Sequence, residues 1–265
     1  MKEQSFDPSN IVLSHSTLSL LAKSPLHFKR YYTEPPNEES DSSSIILGNI
    51  VDHLLLGSKL PYIVIEDSVD LRTKEGKAIK EEAEQIGSQV IKRAQYDIGV
   101  AMADSVLTNK TASHVFKKEA ESVCQKKLQW TDERTGVRLK GYVDKLIPSI
   151  GRLIEIKTSR DASHKWFTRN YFDYGYHRQA AMYFDGCKSN DITITDSVCI
   201  VVENSVPFNV AVYYITPEAL LKGREDYSRL IDLFIRCKDE NLFDRSYDAY
   251  TPSGIYDITV PSWLK

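Results

Sequence analysis

The chain lacks any apolar run long enough to cross a bilayer and lacks a charged-then-apolar leader at its N-terminus, so a cytoplasmic location is expected. Cysteine is sparse. Cys124, Cys187, Cys199 and Cys237 are scattered without a C-x-x-C pair, which argues against a zinc knuckle or an iron–sulfur cluster and leaves reduced core thiols. Neither sign of charge dominates: 34 Lys and Arg against 37 Asp and Glu leave a net charge of −3, so the field of the whole molecule does not favour nucleic acid. Any such binding has to come from local basic patches. What is present is length and apolar content. With 265 residues, 42% apolar and 27% charged, the chain can bury a large core and is expected to form one α/β domain over 1–265, with a helical segment near 14–58 and a helix and tail over 217–265.

The stretch 141–158, Gly-Tyr-Val-Asp-Lys-Leu-Ile-Pro-Ser-Ile-Gly-Arg-Leu-Ile-Glu-Ile-Lys-Thr, reads as two apolar strands joined by a turn at 148–151. Three charges interrupt it. Asp144 falls near the middle of the first strand, while Glu155 and Lys157 lie two apart on the second and leave the same face. Two acids and a lysine on one sheet face make a candidate site for a hard divalent cation with a cationic group beside it, although Asp followed by Glu-x-Lys is also the ordinary pattern of a solvated strand face.

The rest of the chain supplies a scaffold. Ser14 or Ser16 can cap a helix carrying Leu18, Leu21 and Ala22, which Pro25 breaks or restarts. Residues 33–44 combine proline, acids and serine and read as an exposed loop. In 45–57 the spacing of Ile46, Ile50, His53, Leu54 and Gly57 predicts a helix with His53 on its apolar stripe. A strand is expected at 62–65, a Gly76-Lys77 turn leading into a helix over 78–86, and a long amphipathic helix over 88–108 with Val90, Ile91, Ala94, Ile98, Ala101, Met102 and Val106 inward. Residues 116–130 switch to strand composition, with Glu119 or Glu121 a further candidate carboxylate, and Arg138 and Lys140 share a face with Asp144. Strands at 193–203 and 208–216, then a helix from Pro217 with Leu220, Leu221, Tyr227, Leu230, Ile231, Phe234 and Ile235 inward, complete the core. The tyrosine-rich tail over 241–265 suits a subunit or partner contact.

Taken together, Asp144, Glu155-x-Lys157 and the helix with Gln179 and Tyr183 one turn apart resemble the PD-(D/E)XK nuclease superfamily, in its RecB-like and RecE-like (exonuclease VIII, lambda exonuclease) branch. The Ser14-x-Ser16-x-Leu18…Pro25-x-x-Phe28 opening, Arg72-Thr73-x-x-Gly76-Lys77, and Asp173-Tyr174-x-Tyr176-His177-x-Gln179 resemble RecE-type sequences in the same order. The resemblance implies a restriction-endonuclease-like fold, a central mixed sheet flanked by helices. It also implies a Mg²⁺-dependent exonuclease, with Mn²⁺ able to substitute, acting 5′ to 3′ on duplex DNA ends in a bacterial or phage-infected cell. Such enzymes form trimeric or tetrameric rings and work with a single-strand annealing protein of the RecT or beta type. In that reading Asp144, Glu155 and the Ile156 carbonyl hold one or two Mg²⁺ about 3.5–4 Å apart. His53, through a Gly48-x-x-x-x-His53 pattern, completes the shell. Lys157 orients or deprotonates the attacking water with its pKa lowered by the metals, and Gln179 and Tyr183 position Lys157 or the phosphate. Arg178, Arg169 and Lys140 are candidates for the DNA backbone. The alternatives are another PD-(D/E)XK endonuclease, a Cas4-like nuclease, for which clustered cysteines are missing, or a non-catalytic DNA-binding or scaffold relative, which would be expected to have lost one of the three charged residues.

Overall fold

The structure is a computed structural model that describes residues 6–34, 42–117, 121–247, 253 and 255–260. Ser14 caps α1 (His15–Lys23) in a reciprocal capping box with Thr17, and Ser24 caps α2 (Pro25–Thr33), whose proline occupies the first-turn position where no N–H is needed. The expected loop is shorter than its composition suggests, since Thr33 closes α2 and Ser43 opens α3 (Ser43–Leu56); residues 35–41 lie outside the described ones. In α3 the buried stripe is Ile46, Leu47, Ile50, Val51, Leu55 and Leu56, so Leu54 is turned outward and Gly57 is the left-handed cap rather than a stripe position.

The region after α3 departs most from the expectation. β1 (Tyr62–Ile65) is followed by α4 (Lys74–Gln85), which starts four residues earlier than predicted because Thr73 caps it through the Gly76 N–H. Gly76 and Lys77 therefore sit inside the helix. The predicted helix over 88–108 is two elements, β2 (Gln89–Lys92) and α5 (Arg93–Thr108). Val90 and Ile91 pair in parallel with Ile63 and Val64 of β1, and β-branched residues beside a free strand edge decide against helix there. Ala94 and Ile98 are consequently exposed on α5, while Met102 and Val106 are buried as expected. Phe116 belongs to a further helix, α6 (Lys110–Lys117), not to the following strand.

The main sheet has the order β3-β4-β5-β6-β7. It comprises β3 (Val123–Thr131), β4 (Arg138–Ile147), β5 (Arg152–Ser159), β6 (Asp196–Glu203) and β7 (Val210–Tyr214), with β5 and β6 parallel and every other neighbour pair antiparallel. The parallel pair needs a crossover, and the chain supplies it with α7 (His164–Asp173) and α8 (Tyr176–Lys188), separated by Gly175 in the left-handed conformation. The long α9 (Pro217–Asp239) then packs on α8. One sheet face buries Leu139, Val143, Leu146 and Leu153 under α1, α8 and α9; the other buries Ile147, Ile154, Ile156 and Ile200 under α3, α5 and α6. This is the expected mixed sheet between helical layers. On α9 Leu221 is exposed, and the end of the tail, 261–265, lies outside the described residues. No described helix is long and apolar enough to cross a membrane.

Candidate active site

The site arises where the β4–β5 hairpin stops being a hairpin. Backbone pairing runs through Ile147↔Arg152, Leu146↔Leu153 and Lys145↔Ile154 and ends there; the next pair would be Asp144 and Glu155. At that point side chains replace the ladder: the Ile156 N–H donates to Asp144 Oδ2 at 2.8 Å, and the Asp144 N–H donates to Glu155 Oε1 at 3.4 Å. The other edge of β4 is disturbed at the same level. Its pairing with β3 skips Gln125, which stands opposite Asp144 with φ of +50°. Val143 then packs under α8 and α9 while Lys145 reaches the other way, donating to the Phe116 carbonyl at 2.6 Å. Simple alternation would put both on one face.

Glu155 and Lys157 leave β5 together, and Lys157 Nζ lies 3.1 Å from Glu155 Oε2. Glu155 is buried, and burial followed by the neighbouring Asp144 carboxylate pushes its pKa well up despite Lys157. Burial also raises Asp144, with Lys157 and the Ile156 N–H opposing. Burial alone would lower Lys157, but Glu155 and Asp144 together outweigh it and hold the ammonium charged. The expected lowering of its pKa is a property of the metal-bound site, where a cation takes up the negative charge that here raises it. Tyr176 lies under the ammonium, 5.1 Å from Nζ to ring centroid.

From the other helical layer, α3 brings Asp52. Burial first, then Asp144, raise its carboxyl to about 7, with Lys157 opposing. The adjacent His53 does something else: its Nδ1 hydrogen-bonds the Ser58 carbonyl at 2.7 Å, past the end of the helix. That bond engages Nδ1 and leaves Nε2 as the ring atom an expected metal contact would use, while α3 also brings Asp52 within Coulombic reach of Asp144. Asp52 was missed, as was Tyr176. The available signal was an acid in the middle of an apolar helix, and burying a carboxylate needs a reason.

Gln179 Nε2 donates to the Tyr183 hydroxyl at 3.0 Å, so the two residues predicted on one helix face do act as a pair. Tyr183 lies flat against β4 because Gly141 has no side chain; a Cβ there would come within 2.5 Å of the Tyr183 ring. Gln179 lines a narrow crevice with Glu155, Lys157, Tyr171 and Tyr176. Lys140 lines the groove on the other side of Gln179 and Tyr183. Ile156 contributes its N–H to Asp144 and buries its side chain on the opposite face. Glu121 is exposed, and Glu119 lies outside the described residues.

Two predicted DNA contacts fare differently. Arg169 is exposed and pairs with Asp173 at 3.4 Å on α7. Arg178 is buried, its Nη2 donating to Ser19 Oγ at 3.0 Å, so it ties α8 to α1 and is not presented to a phosphate. His177 is likewise internal, with Nε2 2.8 Å from Asp226 Oδ2 on α9. His15 pairs its Nε2 with the Gly175 carbonyl at 3.0 Å; burial, then Arg178 and Lys157, hold its pKa down at about 3, so the ring is neutral and donates.

The donor set suits a hard divalent cation. Burial raises the pKa values of Asp52, Asp144 and Glu155, and the Asp144 charge adds to the rise at Asp52 and at Glu155, a cost that a bound cation would remove. Among the described residues no group of three or more His, Cys, Asp or Glu side chains is placed to hold a metal ion by itself.

Against known proteins, the chain matches the family described as "PDDEXK-like domain of unknown function (DUF3799)" over residues 14–246. Its fold is similar to the crystal structure of a "Putative exonuclease" from Eubacterium rectale, at TM-score 0.62 and 15% identity, over 89% of this chain and 88% of that one. A phage related exonuclease from Haemophilus somnus 129PT is similar at TM-score 0.38 and 12% identity, over 88% and 99% of the two chains. No curated protein matches. At these identities the Eubacterium likeness is one of fold. The family match runs from the Ser14 cap of α1 through α9 and takes in Asp52, Asp144, Glu155, Lys157, Gln179 and Tyr183, and the chain belongs to the PDDEXK-like domain family.

Proposed function

We propose that the protein is a metal-dependent exodeoxyribonuclease that resects linear duplex DNA 5′ to 3′, leaving 3′ single-stranded tails for annealing recombination. The observation that carries this reading is the convergence of Asp144, Glu155 and Lys157 at the point where β4 and β5 separate, in a chain of the PDDEXK-like family. Polarity, duplex ends as substrate, a ring-shaped trimer or tetramer and a single-strand annealing partner rest on the resemblance of the Ser14–Phe28 and Asp173–Gln179 runs to RecE-type exonucleases.

A phosphodiester resists attack because its oxygens repel the nucleophile, so a nuclease must offset charge that develops on phosphate while presenting hydroxide near neutral pH. Asp144 and Glu155, with Asp52 facing them, would hold Mg²⁺ or Mn²⁺, which when bound supplies Lewis acidity and a water of lowered pKa. The chain's own groups do the rest. Lys157, kept protonated by Glu155 and Asp144, donates to the phosphate oxygen or to the attacking water and cannot drift, because Glu155 and the Tyr176 ring hold it from two sides. The Ile156 N–H fixes one oxygen of Asp144. Gln179, anchored on Tyr183, closes the wall between Lys157 and the groove beyond.

The test is digestion of linear duplex DNA labelled at the 5′ or the 3′ end, with Mg²⁺ or EDTA, using the wild type and Lys157→Ala, with a closed circle as control. Early Mg²⁺-dependent release of the 5′ label, an intact circle and an inactive variant are expected. Cutting of the circle would replace the exonuclease with an endonuclease. Binding without any cutting would leave a non-catalytic DNA-binding relative.

A further inference from the structure

Beside the acidic site lies a groove of about 360 Å³, walled by the N-terminus of α1, the C-terminus of α2, the outer side of β4 and the face of α8. Four of its walls are tyrosines, Tyr31, Tyr32, Tyr142 and Tyr183, in a chain with 15 tyrosines among 265 residues. Two of them form the floor: Tyr183 is buried, and Tyr32 is largely covered and supports Tyr31 edge-on at a centroid distance of 5.0 Å. The other two stand exposed at the rim. Tyr31 is 61% exposed and Tyr142 51%, and Tyr142 leaves β4 two residues from Lys140 on the same side. The lining holds one lysine and no carboxylate, although the chain as a whole is acidic. The groove adjoins the proposed chemistry, because Gln179 is the wall it shares with the crevice of Glu155 and Lys157.

We infer that this groove binds an unpaired deoxynucleotide adjoining the scissile phosphate, its base stacked on Tyr142 and Tyr31 and its phosphate paired with Lys140. The inference rests on the nuclease reading and deepens it by naming what the site recognises. Exposed rings at a rim, rather than rings packed into the core, are what a planar base requires, and stacking tolerates any base because every base has a π face. A base inside an intact duplex has both faces occupied by its neighbours. The groove therefore accepts strand only after it leaves the helix, and the single lysine without competing acid favours the phosphate that accompanies each base. The volume also falls in the range of sites for small molecules of nucleotide size.

The experiment is fluorescence anisotropy of a labelled single-stranded oligodeoxynucleotide of roughly ten residues, in EDTA so that nothing is cut, with wild type, Tyr142→Ala, Tyr31→Ala and Tyr142→Phe. A second oligonucleotide carries an abasic residue at one end, tested at each end in turn. Each alanine variant should bind on the order of tenfold more weakly, Tyr142→Phe should bind like the parent, and the abasic strand should lose about the same amount with no further loss from Tyr142→Ala. Unchanged melting temperatures show that the exposed rings were not holding the fold. Alanine variants that bind within about twofold of the parent, or an abasic strand that binds as well as the intact one, overturn the inference. If those results come with Mg²⁺-dependent cutting of duplex DNA by the wild type, the groove assignment alone falls. If the wild type neither binds the strand nor cuts DNA, the nuclease reading falls with it.

Discussion

The two ends of the β4–β5 hairpin are built from the same kind of sequence and do opposite work. At the turn end, Leu146 and Leu153 face each other across a regular ladder and are fully buried under α8 and α9. At the open end, two residues along, Asp144 and Glu155 would face each other in the same register, and there the ladder stops and the carboxylates take the backbone N–H groups themselves. One end obtains its stability from removing apolar surface from water; the other spends stability by holding acids in a poorly solvated place. The lesson is that the site is a local failure of pairing, sustained because the adjoining ladder is strong enough to carry it.

The largest effect expected from breaking this contrast is at the open end. Asp144→Asn and Glu155→Gln should each lower Mg²⁺-dependent DNA cleavage by about 10³-fold or more, measured as initial rate on end-labelled duplex. Neither should lower the melting temperature of the metal-free protein, because each removes a buried negative charge that its neighbours disfavour. A fall in both activity and stability would mean that these acids act as structural hydrogen-bond acceptors, and the division between the ends would be lost.

The turn end should respond in the reverse way. Leu153→Ala leaves a cavity among Leu146, Leu139 and the α8–α9 layer and should cost about 2–5 kcal/mol in chemical denaturation, while cleavage per folded molecule stays near that of the parent. This half was legible in the sequence: alternating β-formers, the Pro148–Gly151 turn and the acid-acid-lysine spacing all placed themselves. What was not legible depends on contacts between distant segments. Val90 and Ile91 fit a helical stripe and a strand equally well, and only the edge offered by β1 decides between them. His53 and Asp52 are neighbours in sequence, and which of them faces Asp144 depends on how α3 sits on the sheet. Arg178 is a phosphate candidate in the sequence, but in the fold it is buried and bonded to Ser19, 159 residues away, which no local pattern announces.

The smallest effect separates the acids from their surroundings by pH. Asp52 has a pKa of about 7 in the fold against an ordinary value of 3.8, so the folded state holds a proton that the unfolded state has lost; its contribution is complete below 3.8 and disappears as pH rises through about 7. His15 runs the other way. Its pKa of about 3 against 6.5 means that the unfolded state takes up a proton which the fold refuses, so its contribution is complete above 6.5 and disappears as pH falls toward 3. Between 3.8 and 6.5 the two slopes oppose each other. In metal-free protein Asp52→Asn should therefore make stability rise more steeply with pH across that window, and His15→Gln, which keeps a donor for the Gly175 carbonyl, should make it fall more steeply. Each change amounts to at most one proton, about 1.4 kcal/mol per pH unit, read from urea denaturation at a series of pH values. Added Mg²⁺ should flatten the part contributed by the acids and change the His15 part less, because burial and then Arg178, rather than the acids, are the main causes of the His15 shift. Equal flattening of both parts would show that the cation acts on the fold as a whole, and the open end of the hairpin would no longer be the separate unit that its hydrogen bonds describe.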